Sequence, residues 1–583
     1  MSPSLRQLRT FDAGAVLLLL LVTAWFRHAC TPWSDVSGDA YMALECAWKM
    51  SRGDPAAVPS QPIYGYGLCA SMAPLYLGAD ELWDVAVRRS LVGALVVPGW
   101  YLLVIAAVPG LFGTTAVATR AAATAVGILA VNNDLLGVMA TSGTLGYFAP
   151  PMLALIFLCW SRAWFQRAPL ALVLGIALVP VAMMSHPYTL WLVFALAIFL
   201  PRFVHTTGRL PAGVGLIAAL ALAAPRVLQL VDLARQETSF WYGLKMIADP
   251  GDRLPEPYTV KLFADLRDPE NLLVIGALLS LILAPVILRI RRSDTIAANG
   301  RPMDLAAIRL CALACAISLV LIVAVGVSIE YLRSYHVMFL YPFAAIALGG
   351  GLAILAERAG PRVVSWGRSD GVQAALERWK VSVVTFAACW LVFGSVVYGL
   401  SGANLWRPSE DHCTGGFRNS STASSCRQVT DKVYEDLSGS TVVVENLRQD
   451  EGGLDSAVSV ALDLLVRGMR EDLLRCCEPE ADPTWYWIIQ QEGIPVDFLD
   501  LAPTIQGVEL LMDLSVSNEL VLAVRSDSSR VALGEMLCGV LPPDMLLSGH
   551  TYRTYLGSLL PADCEEVPRP EPYPPCIAER VIF

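Results

Sequence analysis

Asp39 is the residue of this chain whose setting most suggests chemistry. It heads SDVSGDAYMALECAWKMSRGDP, residues 34–55, an amphipathic run just past the first long apolar segment. Ser37, Gly38 and Asp39 read as a helix start. Tyr41, Met42, Leu44, Ala47 and Trp48 carry the apolar periodicity onward, and Gly-Asp-Pro at 53–55 stops it. A carboxylate in that place has two readings. As an N-cap it is worth about 1 kcal/mol; as an acid or base it exchanges a proton with a group brought within hydrogen-bond reach. Such a helix would lie in a membrane interface, with Tyr41 and Trp48 at headgroup depth and Asp39 at the surface.

Fewer signals stand elsewhere. Asp134 in VNNDLLG is either a loop cap or a cavity-lining acid. His186 in SHPYT ends an apolar run, where an ionisable group either serves a function or faces water. His412 and His550 are isolated and read as ordinary surface or capping residues. The chain has no Gly-rich phosphate loop and no nucleophile elbow. It also lacks a C-x-x-C pair with a histidine nearby, which argues against zinc.

The elements that must hold these residues are mostly apolar. Of 583 residues, 55% are hydrophobic and only 16% charged, against roughly 25% charged in soluble proteins; mean hydropathy is +0.53. The net charge of −10 divides unevenly: residues 401–583 carry 13 Lys and Arg against 29 Asp and Glu, and residues 1–400 carry 29 against 23. Without a clustered basic surface, nucleic-acid binding is excluded. Apolar runs near the 20 or so residues a span needs fall at 12–28, 90–110, 115–133, 144–161, 169–185, 188–201, 211–228, 271–289, 305–328, 336–356 and 380–400. The expectation is a multi-span α-helical membrane protein of about eleven transmembrane helices in residues 1–400. Outer loops occupy 28–89 and 229–270, and a small α/β extracytoplasmic domain occupies 401–583. No small-residue cleavage site follows the N-terminal apolar run, so it reads as an uncleaved span.

Orientation follows from arginine placement, because cytoplasmic loops retain Lys and Arg. Alternate connections carry Arg6 and Arg9, Arg162 and Arg167, Arg202 and Arg209, then Arg289 to Arg301, then Arg358 to Lys380. The N-terminus is therefore expected in the cytoplasm and the tail outside. Ten of the fourteen cysteines, Cys46 and Cys69 among them, fall on the expected outer face, where an oxidising compartment permits disulfides. In the tail, 441–447, 485–491 and 518–526 read as strands, and 454–477 has helical periodicity.

Taken in chain order, a short N-terminus, one span, GDAY (38–41), RGDP (52–55), QPIYGYG (61–67) and VRRSLVGAL (87–95) resemble the GT-C membrane glycosyltransferases. The likeness is to the branch that includes protein O-mannosyltransferases and bacterial aminoarabinose and lipopolysaccharide sugar transferases. EYLRSYHVMFLYPFAAIALGGG (330–351) resembles that family's Arg-Tyr-then-Pro span. Two positions depart from the pattern: Ala40 replaces a second acid, and Gln61-Pro62-Ile63 replaces His-Pro-Pro.

The resemblance implies a GT-C-like fold in the plasma membrane, the inner membrane and cell envelope of a bacterium. It also implies inverting transfer of a sugar from a polyprenyl phosphate to an acceptor hydroxyl on a glycan, lipid or protein. Asp39 would be the base. Arg88, Arg89 and Arg333, with Tyr335 and His336, would attend the phosphate, and Trp241 and Tyr242 would stack on sugar faces. The bland alternatives are membrane-interface anchors for the arginines and for Trp241 and Tyr242. Lack of a D-x-D cluster in the first loop points away from a metal. Two other functions compete: an inactive scaffold presenting an acidic outer domain, favoured by Ala40, and a lipid-linked-sugar transporter, disfavoured by the absence of internal repeats and mid-span charges.

Overall fold

A computed structural model of the chain describes residues 3–30, 38–53, 66–131, 148–185, 187–235, 269–290, 303–328, 339–364, 441–446, 462–464, 466–468, 474–475, 485–492, 508–516 and 519–526. In chain order the helices are α1 (Pro3–Cys30), α2 (Gly38–Ser51), α3 (Tyr66–Met72), α4 (Leu82–Gly93), α5 (Val96–Phe112), α6 (Ala116–Val131) and α7 (Ala149–Gln166). They continue as α8 (Pro169–Ser185), α9 (Trp191–Thr207), α10 (Arg209–Arg235), α11 (Pro269–Ile290), α12 (Leu305–Ser328) and α13 (Tyr341–Val364).

The long apolar helices pack as one bundle. α5 lies against α6, α7 and α13; α8 against α7 and α10; α12 against α9 and α11. Apolar residues at helical spacing give each helix a face to bury, and aromatic rings fill the centre. Phe157 of α7 meets Phe343 of α13 edge-on at 5.0 Å, and Trp160 and Trp164 meet Phe199 of α9 at 5.7 and 5.5 Å. Close helix approach depends on glycine. A Cβ on Gly349 of α13 would come within 2.7 Å of Val104 Cγ1 on α5.

One end of the bundle is tied by polar contacts between helix termini. The Asp304 N–H, just before α12, donates to Leu111 O at the end of α5, and the Asp304 carboxylate caps the Ala307 N–H. Glu357 near the end of α13 accepts from the Thr115 N–H at the start of α6. Thr207 Oγ1 at the end of α9 donates to Ala163 O near the end of α7. Asp12 of α1 takes Arg120 of α6 in a bidentate pair at 2.6 and 2.7 Å, and also accepts from the Tyr101 hydroxyl at 3.0 Å. Each contact answers orphan N–H and C=O groups at a helix end or pairs a half-buried charge.

The expectation of a GT-C-like fold with about eleven transmembrane helices is corrected by the number of helices, among the described residues, that meet both the length and the apolarity of a span. Among the described residues, two helical stretches, Leu82–Phe112 and Leu305–Ala324, are long and apolar enough to cross a membrane. Phe11–Trp25, Ala116–Ala130, Pro169–Ser185, Trp191–Thr207, Arg209–Ala224, Leu272–Leu288 and Tyr341–Glu357 are apolar but shorter. Backbone breaks limit two of these helices: Arg167 at φ 53° ends α7 and Gly208 at φ 105° ends α9. A helix of 17 residues, such as α8 or α9, is only about 25 Å long at 1.5 Å per residue. The hydrocarbon core is about 30 Å thick. The run at 380–400 lies outside the described residues.

In the tail, β1 (Thr441–Asn446), β2 (Leu474–Arg475), β3 (Trp485–Glu492), β4 (Val508–Val516) and β5 (Glu519–Ser526) form one sheet of order β2-β1-β3-β5-β4. β1 runs parallel to β2 and β3, and β5 runs antiparallel to β3 and β4. The helix expected over 454–477 is interrupted, because 474–475 pairs with β1.

Candidate interfacial site

α2 begins at Gly38, so Asp39 occupies its first turn, where the helix dipole favours a negative charge. The other end is set by Gly53, left-handed at φ 82°. Between them Leu44, Cys46, Ala47 and Trp48 are buried. Trp48, expected at headgroup depth, is 4% exposed. It is a packing residue of this unit, with the Arg52 guanidinium 5.5 Å from its ring centroid.

Three connections make α2, α3 and α4 a rigid unit. A disulfide joins Cys46 of α2 to Cys69 of α3. The Tyr76 hydroxyl, in the 3-10 turn Ala73–Tyr76, donates to Leu44 O at 2.8 Å. Arg88 of α4 donates to the carbonyls of Leu75, Leu77 and Gly78 at 2.8, 2.7 and 2.8 Å. Arg88 thus holds the turn that leads into α4. Arg89 beside it is 1% exposed, among the largest fully buried side chains.

A second anchor comes from the far end of the sequence. Asp463 Oδ1 accepts the Leu82 N–H at 2.6 Å and so caps α4. Its Oδ2 accepts from Arg467 Nε at 3.1 Å, and Arg467 Nη2 donates to Glu81 Oε2 at 3.0 Å. Leu462, Asp463 and Leu464 are all buried. Burial pushes the Asp463 carboxyl up to about 6, against the opposing pull of the Leu82 N–H and Arg467. The sequence reading did not single out this cluster. The available signal was an acid and a base four residues apart within the apolar run LDLLVRG, 462–468, a pairing that suits one helix face.

Of the residues expected to act together, Asp39, Arg88 and Arg89 belong to this one unit. Arg333, Tyr335, His336, Trp241, Tyr242, Asp134 and His186 lie outside the described residues. No three His, Cys, Asp or Glu side chains gather as a metal site would need, among the described residues. What the arrangement offers chemically is a carboxylate-bearing helix start on a braced platform. No protein-family model matches the chain, and no curated protein matches it.

Proposed function

We propose that the chain is a membrane glycosyltransferase that moves a sugar from a polyprenyl-phosphate donor to an acceptor hydroxyl on the extracytoplasmic face. The observation that carries the reading is Asp39 in the first turn of a helix braced by the Cys46–Cys69 disulfide. Two further features support it. Two helical stretches are long and apolar enough to cross a membrane. The termini gathered at one end of the bundle carry Arg120, Arg162, Arg167 and Arg202, as a cytoplasmic face would. α5, about 25 Å long, separates that end from the α2–α4 unit.

In this mechanism the Asp39 carboxylate takes the proton of the acceptor hydroxyl as its oxygen attacks the anomeric carbon. The bond from that carbon to the phosphate oxygen breaks, and its electron pair leaves with the lipid phosphate. Attack opposite the leaving group inverts the anomeric centre. Arg333, with Tyr335 and His336, neutralises the charge that grows on the phosphate. Arg88 acts as a positioning residue through the 75–78 turn, Arg89 is held in the fold beside it, and Trp241 and Tyr242 stack on the sugar. The bilayer presents the donor, so the acid need only stand at its surface.

The test is transfer from labelled polyprenyl-phosphate sugars by membranes containing the full chain. Asp39→Asn should cut transfer at least a hundredfold, the range of a lost general base, while donor binding persists. Transfer by Asp39→Asn at the wild-type rate would remove Asp39 from the chemistry. A second reading, an inactive scaffold presenting the acidic outer region, is favoured by Ala40 in place of a second acid and by the anchoring of 462–468 on α4. It gains if the wild type consumes no donor across a broad panel and Ala40→Glu does.

A further inference from the structure

We infer that the shared end of α7, α8, α9 and α10 binds an anionic phospholipid, with its phosphate held by Arg162, Arg167 and Arg209 and its acyl chains laid along the exposed stripe of α10. The inference is independent of glycosyl transfer and needs only a bilayer beside the bundle.

The turns between these helices bring the three arginines together. At the end of α7 the Arg167 and Ala168 N–H groups both donate to Arg162 O. Thr207 Oγ1, two residues before Arg209, donates to Ala163 O, next to Arg162, at 3.2 Å. α10 then runs alongside α8, where a Cβ on Gly215 would stand 3.0 Å from Ile176 Cβ. That register sets the first turns of the two helices, at Pro169 and Arg209, side by side.

These charges are not neutralised among the described residues. No Asp or Glu occurs between Asp134 and Asp232. Acids that reach this end from other helices are engaged: Asp12 with Arg120, Asp304 with Arg202, and Glu357 with the Thr115 N–H. Arg162, Arg167 and Arg209 are exposed, and no side-chain hydrogen bond or ion pair joins them to another described residue. Guanidinium forks match the oxygens of a phosphate.

The apolar surface beside them selects a lipid. Leu170 and Leu210, at the starts of α8 and α10, are 82% and 79% exposed. From Leu210 the exposed stripe continues through Val214, Ile217 and Leu220, a spacing of three or four that keeps it on one helix face. At 1.5 Å per residue the stripe is about 15 Å long. That is half of a hydrocarbon core about 30 Å thick, the depth of one leaflet. A phosphate at the arginines therefore sets its own acyl chains against the stripe, whereas an acidic peptide would leave the stripe bare.

The test titrates the full chain, in neutral detergent, with phosphatidylglycerol or phosphatidylcholine of the same acyl chains, and reads bound lipid by native mass spectrometry. Each arginine at an anionic headgroup contributes about fivefold, so phosphatidylglycerol should bind about a hundredfold more tightly. Arg167→Asn and Arg209→Gln together should reduce that preference to about fivefold. Both side chains are exposed, so the lipid-free unfolding midpoint should not move. Leu210→Ser with Ile217→Ser should weaken both lipids and keep the preference. Equal binding of the two lipids by the wild type, or full preference in the double arginine variant, overturns the inference. Displacement of phosphatidylglycerol by inorganic phosphate at matched ionic strength also overturns it, because a bare anion site needs no stripe. A disulfide between two copies through Ile217→Cys does the same, since a second copy would then cover the stripe.

Discussion

Arg88 illustrates how a residue selected for its charge can serve through its shape. A planar guanidinium reaches three carbonyls of one turn, which a lysine ammonium on a flexible stem would hold less rigidly. Arg88→Ala leaves those carbonyls without their donor. At about 1 kcal/mol per lost hydrogen bond, the α2–α4 unit should lose roughly 2–3 kcal/mol of stability, read as a lower unfolding midpoint. Arg88→Lys should recover only part of it. The Cys46–Cys69 bridge spans 23 residues, and its removal by Cys69→Ser should cost about 3 kcal/mol. The measurement is protease cleavage within 52–66, faster in the variant or in reducing buffer. Asp39 was legible in the sequence because a helix start has a local signature. Asp463 was not, because the Leu82 N–H it caps is distant in the chain.

At the scale of elements, close approach and buried pairing control stability. α13 reaches α5 through Gly349, where a methyl group would meet the stiff, branched Val104 at 2.7 Å. Gly349→Ala should therefore destabilise by about 1–3 kcal/mol, the usual cost of overpacking. The same substitution at Gly351, which has nothing within 4 Å, should be close to neutral. Asp12 and Arg120 have side-chain exposures of 20% and 16%. Asp12→Ala would leave a guanidinium without its carboxylate and should cost more than replacing both partners together. A double-mutant cycle on Asp12 and Arg120, read by thermal unfolding, measures the coupling. Apolar patterning located α7 and α9 in the chain, but where they stop is set by the backbone at Arg167 and Gly208, which hydropathy passes over.

For the whole molecule the decisive quantity is the distance between its two ends. The α2–α4 unit and the gathered termini of α5, α6, α7, α9, α12 and α13 lie at opposite ends of α5. A cysteine at exposed Leu77 should react with an impermeant thiol reagent added outside intact cells, in a background lacking other accessible thiols. One at exposed Gln166 should react only after permeabilisation. Equal labelling at both positions would mean that the two ends do not face opposite sides of a membrane.

The amino-acid sequence by itself determined an apolar chain with a charge-asymmetric tail, a helix starting near Asp39, and arginines at alternate connections. These follow from composition and from spacings of a few residues, where local physics acts. Tertiary structure alone decided that Trp48 is core, that Cys46 pairs with Cys69, that Arg88 binds a turn, and that Asp463 caps α4. It also decided that two helical stretches, among the described residues, are both long and apolar enough for a span. Each of these depends on groups brought together from distant positions or on where a helix stops, and apolar content by itself carries neither.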